Sequence, residues 1–177
     1  AARTTVRSTP DMERPVRKSN RLREYDYSQP GCYFVTICVR DRLPLLRRGA
    51  QCAPASDLPP LTEAGRAVEQ AIKGISEHYE MISVDKYVVM PNHVHLLLRI
   101  ENDGRTLCAP TKRPSVARVI KMMKEAVTKS IGLPIWQKGY HDHVVRNDAD
   151  YLRVWDYIKT NPAKWREDCY YCPEEGR

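Results

Sequence analysis

The sequence lacks long apolar runs and internal repeats. A helix that crosses a membrane needs roughly 20 consecutive apolar residues, and no segment approaches that length. No apolar stretch near the N-terminus has the form of a secretory signal. We therefore expect a cytoplasmic protein without structural disulfides, and 177 residues are enough for one domain with a real core.

Cysteine is present but forms no complete metal-binding pattern. Cys169 and Cys172 are spaced as CxxC, and a zinc site would need two further ligands that no recognisable spacing supplies. Cys32 and Cys38 lie in an apolar run and are typical of buried core thiols. Free thiols are therefore the simpler interpretation, and the CxxC pair leaves the question of metal binding open.

Positive charge exceeds negative charge, with a net charge of +7 and an isoelectric point of about 9.2. Such an excess favours polyanionic partners, chiefly nucleic acid, although simple solubility is the alternative explanation. Residues 1–24 concentrate cationic side chains among few apolar ones, so we expect a flexible basic arm. The predicted organisation is an arm (1–24), a folded domain (25–165) and a tail (166–177).

Hydrophobic periodicity predicts strands and helices in the order β, α, β, β, α, β, α. The strands fall at about 32–39, 81–90, 93–100 and 143–145; the helices fall at about 63–78, 116–131 and 148–161. The first six elements form a split βαββαβ pattern. We therefore expect an α+β, ferredoxin-like antiparallel sheet with one added C-terminal helix.

Two of the five histidines occur together, at the start of the third predicted strand. Residues i and i+2 of a strand share a face, so His93 and His95 should project side by side while Val94 turns away. Two imidazoles placed in this way form a platform for a metal ion, with a third ligand from elsewhere in the chain. The alternative is a pair of ordinary, half-exposed strand histidines.

The last predicted helix carries a second candidate pair. Tyr157 and Asn161 are four residues apart and share a helix face. A hydroxyl nucleophile and a carbonyl-oxygen ligand would thus be presented together. The alternatives are a packing role for Tyr157 and a helix-ending role for Asn161, which precedes Pro162.

Segments 90–97 (MPNHVHLL) and 156–162 (DYIKTNP) together resemble the HUH single-tyrosine transposases, and most of all their REP-associated branch. Segments 33–36 and 135–143 also resemble that family, so the similarity runs from about Tyr25 to Trp165. The resemblance implies His93 and His95 as ligands of Mg²⁺ or Mn²⁺ and Tyr157 as nucleophile on the added helix. Asn161 matches a further ligand position, which is Gln in some relatives.

The resemblance implies a function and a partner. The function is metal-dependent cleavage and rejoining of single-stranded DNA beside hairpins, through a 5′-phosphotyrosine intermediate, by a monomer or homodimer near the bacterial nucleoid. Two alternatives remain: a catalytically silent hairpin-binding protein of the same fold, and a metal-dependent hydrolase that uses only the histidine pair.

Basic and aromatic side chains are the candidates for DNA contact. A cationic helix face and the arm would neutralise phosphates, and aromatic rings would stack on unpaired bases. For any single lysine or arginine, a solvated helix face is the simpler interpretation. The candidates are Arg17, Lys18, Arg21, Arg118, Lys121, Lys124, Lys138, Tyr140 and Arg146.

Overall fold

The computed structural model describes residues 25–48, 58–102 and 114–171. The strands are β1 (Gly31–Cys38), β2 (Ile82–Val89), β3 (His93–Ile100) and β4 (His141–Val145). The α-helices are α1 (Glu63–His78), α2 (Val116–Ile131) and α3 (Asp148–Thr160). No helix in the described ranges is long and apolar enough to span a bilayer.

The four strands form one antiparallel sheet in the order β2-β3-β1-β4. This order follows from the split βαβ pattern, in which each crossover helix leaves room for one strand between the two that it connects. The ferredoxin-like prediction is confirmed. β1 and β3 are the central strands, and their register places Thr36 opposite His95 and Cys38 opposite His93.

Helices α1 and α2 cover one face of the sheet and bury most of its apolar side chains there. The residues that begin α1 and α2, and the glycine that ends α2, are recognisable in the sequence as capping residues. The Thr62 and Ser115 side chains accept hydrogen bonds from the first turns of α1 and α2, and Gly132 ends α2 in the left-handed conformation. Local capping and one-sided apolar spacing are therefore sufficient to define both helices.

Helix α3 covers the opposite face. Val154 and Ile158 pack on Leu97 of β3, and Asn147 caps the helix through a hydrogen bond from Asp150. Helical structure does not end at Pro162, because a 3₁₀ helix follows α3 from Asn161 to Glu167. Proline suits the first turn of a helix, where its missing N–H would have no intrahelical partner. This continuation carries the chain back toward the start of β3.

Gly65 lies where α1 begins against the segment that follows β1. A Cβ atom added at Gly65 would stand 2.1 Å from the carbonyl oxygen of Leu46, which accepts a hydrogen bond from the Thr62 backbone N–H. Gly74, on the same helix, has open space around the corresponding position. Glycine is therefore required at the first position and not at the second.

We expect Gly65→Ala to lower the free energy of unfolding by about 2 kcal/mol or more, because the clash is with backbone that cannot rotate away. Gly74→Ala is the matched control and should raise stability by about 0.5–1 kcal/mol, since it removes backbone freedom from the unfolded chain. Urea denaturation followed by circular dichroism measures both. Equal effects of the two changes would contradict the close approach at Gly65.

Candidate metal and tyrosine site

His93 and His95 project from β3 toward the face that α3 covers, as the strand alternation predicts. Both side chains are buried, with 0% and 1% of their surfaces exposed, so they are not half-exposed strand histidines. Their Nε2 atoms lie 3.0 Å apart. That separation is short enough for both nitrogens to bind one ion.

The tautomer of His93 is fixed by Asn92. The Asn92 Nδ2 atom donates to the carbonyl oxygens of Arg42 (3.0 Å) and Tyr170 (2.7 Å), so its Oδ1 must accept. His93 Nδ1 lies 2.9 Å from that oxygen and therefore carries the ring proton. The Nε2 atom of His93 is consequently a bare lone pair, which is the form that binds metal.

His95 has a partner that allows either tautomer. Its Nδ1 atom lies 2.9 Å from Thr36 Oγ1, and a hydroxyl can donate or accept. With the proton on Nε2, His95 donates to His93 across the 3.0 Å gap; with the proton on Nδ1, it donates to Thr36. The second arrangement frees both Nε2 lone pairs for an ion without the loss of a proton from the site.

Both imidazoles are held in the neutral form. Burial lowers the pKa of His93 to about 3, and the Arg42 cation acts in the same direction. Burial also lowers the pKa of His95 to about 3, with the neighbouring His93 as the second cause. At neutral pH neither ring therefore carries the second proton that would exclude a metal ion.

Asp168 supplies a carboxylate to the pair. Its Oδ2 atom lies 4.0 Å from His93 Nε2, and its side chain is only 3% exposed. One ligand atom each from His93, His95 and Asp168 lies within 4.8 Å of the others. These three residues form a possible metal site, to which Asp168 brings the negative charge that two neutral imidazoles lack.

Asn161 lies beside this cluster, as the interpretation of it as a ligand requires. Its Nδ2 atom donates to Asp168 Oδ2 over 2.8 Å. Its Oδ1 atom is buried and has no hydrogen-bond partner within the part of the chain that the structure describes. A buried carbonyl oxygen without a donor is costly, and a cation would satisfy it. The donor set therefore fits a divalent ion.

The hydroxyl of Tyr157 lies 3.4 Å from His95 Nε2, and the two rings are 5.1 Å apart between centroids. Unlike the histidines, Tyr157 keeps 41% of its surface exposed. Phe34 of β1 contacts both rings, stacked on His95 and edge-on to Tyr157. The phenol thus lies between the buried nitrogens and solvent.

The histidine pair is closed on its other side by residues 168–171, within the predicted tail. The Tyr170 ring packs on His93 at 4.6 Å between centroids, and the Arg42 guanidinium lies 5.3 Å from the Tyr170 ring. Arg42 also donates to the carbonyl oxygen of Cys169. Asp41 and Arg42 both adopt positive φ angles of 55° and 54°, a strained conformation for residues other than glycine.

The sequence did not indicate Asp168 or Tyr170. Asp168 is one of several acidic residues near the C-terminus, and no spacing separates it from Glu167 or from Glu174. Only the 3₁₀ helix after α3 determines which carboxylate reaches the histidines. The boundary predicted at Trp165 therefore lies within a segment that contacts the site.

The predicted DNA-contact residues fall in different places. Lys121, Lys124, Lys138 and Tyr140 line one groove beside α2, whereas Arg118 is exposed on the same helix and Arg146 follows β4. Lys124 is partly buried and donates to the carbonyl oxygens of Gln137 and Gly139. Arg17, Lys18 and Arg21, and with them the whole arm, lie outside the described residues.

The chain is similar to known transposase sequences. The family model described as "Transposase IS200 like" matches residues 61–161, a range that includes both histidines and Tyr157 and ends at Asn161. A REP-associated tyrosine transposase of Escherichia coli is 25% identical over 139 residues, which cover 78% of this chain and 70% of that protein. An uncharacterized protein of Haemophilus influenzae is 28% identical over 172 residues, covering 88% and 93%.

A solved structure of a REP-associated tyrosine transposase, bound to a REP hairpin, has the same fold. The TM-score is 0.57 at 24% sequence identity, with 82% of this chain and 73% of that chain covered. The likeness confirms the arrangement of sheet and helices.

The burial of two neutral histidines predicts a pH dependence in the presence of a chelator. The unfolded chain takes up protons below the reference pKa of about 6.5, whereas the folded chain does so only near 3, so stability is lost as pH falls. Between pH 7 and pH 5 the free energy of unfolding should fall by roughly 2 kcal/mol for each histidine. Urea denaturation at successive pH values measures it.

The control is His78→Gln, since His78 is exposed at the end of α1. We expect this variant to keep the steep dependence of the wild type. The His93→Gln/His95→Gln double variant should lose most of it. A wild-type curve as flat as that of the double variant would contradict the depressed pKa values.

Proposed function

We propose that this chain, which belongs to the family of IS200-like transposases, is a metal-dependent endonuclease and strand transferase of single-stranded DNA. One observation carries the proposal: the hydroxyl of the partly exposed Tyr157 lies 3.4 Å from one of two facing imidazole nitrogens, and all three residues lie in the segment that the family model matches. A nucleophile beside a ligand cluster is the arrangement that metal-assisted attack on a phosphodiester requires.

We assign His93, His95 and Asp168 as protein ligands of a divalent ion, with the orphaned Asn161 Oδ1 as a further donor. Two imidazoles suit Mn²⁺ better than Mg²⁺, which prefers oxygen. When bound, the ion would neutralise a nonbridging oxygen of the phosphate and so lower its repulsion of a nucleophile. Thr36 and Asn92 orient the two rings through Nδ1.

Tyr157 is the proposed nucleophile. Burial raises its pKa to about 12, so the phenol is protonated at neutral pH and must lose its proton as it attacks. The attack forms a bond between Tyr157 Oη and phosphorus and breaks the bond from phosphorus to the 3′ oxygen. It leaves a 5′-phosphotyrosine and a 3′-hydroxyl. The covalent bond conserves the energy needed to join a second strand.

Exposure indicates where the DNA enters. The histidines are fully buried and residues 168–171 cover one side of them, whereas Tyr157 is 41% exposed. The scissile phosphate therefore approaches from the side of α3, where the phenol meets solvent. Solvent at this face can carry the phenol proton away as the new bond forms and return a proton to the departing 3′ oxygen, so the step is balanced.

The partner that we propose is DNA with an unpaired segment beside a hairpin. A related protein is described as bound to a REP hairpin. A net charge of +7, and a lysine-bearing groove beside α2, complement such a polyanion. The contact residues named from the sequence, the monomeric or dimeric state and a nucleoid-associated location stay predictions.

We expect Tyr157→Phe to abolish a covalent protein–DNA adduct with labelled hairpin oligonucleotides in Mn²⁺, because the ring keeps its packing but loses the attacking oxygen. Tyr151→Phe is the matched control on the same helix, since its hydroxyl donates to Asp85 and not to the site. Denaturing gels separate the free and bound 3′-side fragments. The control should form the adduct at the wild-type level.

The same gels separate the rival functions. Cleavage without an adduct that survives in Tyr157→Phe would show a hydrolase that uses only the histidine pair. Hairpin binding without cleavage by the wild type would show a catalytically silent binding protein. Either result would overturn the proposed nucleophile.

Metal binding is tested apart from cleavage. Asp168→Asn keeps the size of the side chain but removes its charge, so we expect Mn²⁺ affinity to fall about tenfold or more. Asp156→Asn is the control, because Asp156 lies on the exposed side of α3. Isothermal titration measures both. Unchanged Mn²⁺ affinity in Asp168→Asn would remove Asp168 from the ligand set.

A further inference from the structure

The start of α3 is joined to the edge strand β4 through the carboxylate of Asp150. Its Oδ2 atom accepts a hydrogen bond from His143 Nε2 over 2.7 Å. The same carboxylate accepts from the backbone N–H of Arg146 (3.3 Å) and from the guanidinium of Arg153 (2.5 Å). A strand, the connection that follows it and a helix therefore meet at one group.

The bond between His143 and Asp150 is stronger than an ordinary surface contact. An isolated exposed ion pair contributes little to stability, but the Asp150 side chain is only 13% exposed and has three donors. Hydrogen bonds from Arg153 and His143 lower the pKa of Asp150 to about 2, so it is ionised at neutral pH. An ionised carboxylate can only accept, and His143 Nε2 therefore carries a proton and donates.

Asp150 and Tyr157 lie on the same flank of α3. They are seven residues apart, so at 3.6 residues per turn they point in nearly the same direction from the helix axis. The sheet gives the same placement, because His143 pairs with Phe34 of β1, and Phe34 contacts the Tyr157 ring edge-on. The link to β4 and the proposed nucleophile therefore share one side of the helix.

The opposite flank of α3 is held by ring contacts with β2 and β3. Tyr151 stacks on Trp155, Lys86 lies 4.9 Å from the Trp155 ring, and Arg99 lies 5.5 Å from the Tyr151 ring. These ring contacts do not depend on the hydroxyl of Tyr151. The helix is thus held along both flanks, by rings on one and by the Asp150 carboxylate on the other.

Rotation of α3 about its own axis would move Tyr157 relative to the histidines. Side-chain atoms lie roughly 5–6 Å from a helix axis, so a turn of about 20° displaces them by about 2 Å. The hydroxyl of Tyr157 is 3.4 Å from His95 Nε2. The buried apolar contacts under the described part of α3 are few, namely Leu97, Val154 and Ile158, so they limit such a rotation only weakly.

From this arrangement we infer that His143 is a positioning residue: its bond to Asp150 sets the rotation of α3 and thereby holds the Tyr157 hydroxyl beside the histidine pair. The inference rests on the proposed function, in which Tyr157 is the nucleophile. It adds a residue of β4 that acts on the reaction through the helix and not by contact with the reacting atoms. Misplacement of a reacting group by about 1 Å can lower a rate about 100-fold.

Two other roles for His143 predict different behaviour. As the acceptor of the Tyr157 proton, it would need a basic ring nitrogen beside the phenol. The two flanking positions on α3 are about 10 Å apart along the axis, which is too far for direct proton transfer. As a contact to a DNA phosphate, His143 would act on DNA affinity and not on the rate with bound DNA.

The test removes the donor or keeps it. His143→Leu removes the N–H group, whereas His143→Gln keeps an N–H donor but has no basic nitrogen. His143 is changed in preference to Asp150, because Asp150 also accepts from the backbone at the start of α3. Arg153→Met is the matched control, since it removes another donor to the same carboxylate from within α3 and leaves the link to β4 intact.

The rate of adduct formation is measured in single turnovers at saturating Mn²⁺ and hairpin DNA, and the Kd for the hairpin is measured separately. We expect His143→Leu to slow adduct formation about tenfold or more with an unchanged Kd. His143→Gln should restore the rate to near that of the wild type, and Arg153→Met should react at the wild-type rate. Thermal melts establish that all variants fold.

A wild-type rate in His143→Leu would overturn the inference. An equal loss in His143→Gln and His143→Leu would also overturn it and would indicate proton transfer by the ring. A weaker Kd with an unchanged saturating rate would indicate a DNA contact instead.

A second measurement is independent of activity. With 3-fluorotyrosine placed at position 157, the ¹⁹F resonance reports the position of that ring against Phe34 and His95. We expect the resonance to shift in His143→Leu and to return in His143→Gln. Failure of the proposed function would leave the wild type without an adduct while this shift persisted. An unshifted resonance in His143→Leu would overturn the positioning role itself.

Discussion

The side-chain amide of Asn92 connects three segments of the chain at the start of β3. Its two N–H bonds are used by carbonyl oxygens of Arg42 and Tyr170, so its oxygen faces His93 and can only accept. The direction of this one amide fixes the proton on His93 Nδ1 and leaves Nε2 bare. Rotation of the amide by half a turn would break these three hydrogen bonds. It would also place an N–H donor, in place of the oxygen acceptor, against His93 Nδ1.

The Asn92 amide also holds the C-terminal segment beside the two imidazoles. Because Asn92 binds the backbone of Tyr170, residues 168–171 are held where the Asp168 carboxylate reaches the imidazoles. Asp168 in turn accepts from Asn161 at the end of α3. A series of hydrogen bonds therefore runs from the start of β3 through the C-terminal segment to the end of the helix that carries Tyr157. Each member limits the freedom of the next, which is the condition for a preorganised site.

Much of this arrangement could be predicted from the sequence. Apolar spacing and capping residues such as Thr62 determine the helices locally, and the alternation of His93, Val94 and His95 determines which face each occupies. The continuation of the chain beyond Pro162 could not be predicted in this way, since a proline there allows either a stop or a new helical turn. Asp168 depends on that choice and was therefore missed.

The separate roles of the lysines could not be predicted from the sequence either, because they depend on contacts between distant parts of the chain. A cationic face of α2 could be predicted, but the sequence did not show that Lys124 bonds the segment 136–140 while Lys121 stays at the rim of the groove. Such a division depends on contacts between α2 and a segment more than ten residues away. Side chains of one type on one helix face thus serve different purposes.

The two faces of the sheet are packed very unequally. The face under α1 and α2 holds most of the buried apolar side chains, whereas the described part of the α3 face buries Leu97, Val154 and Ile158 around a polar site. Among the described residues, apolar burial on the α1 and α2 face therefore makes the larger hydrophobic contribution to folding. Substitutions at the exposed edge of the site, where Tyr157 meets solvent, therefore risk the fold less than substitutions in the larger core, so this architecture can diversify in function while its structural half stays constant.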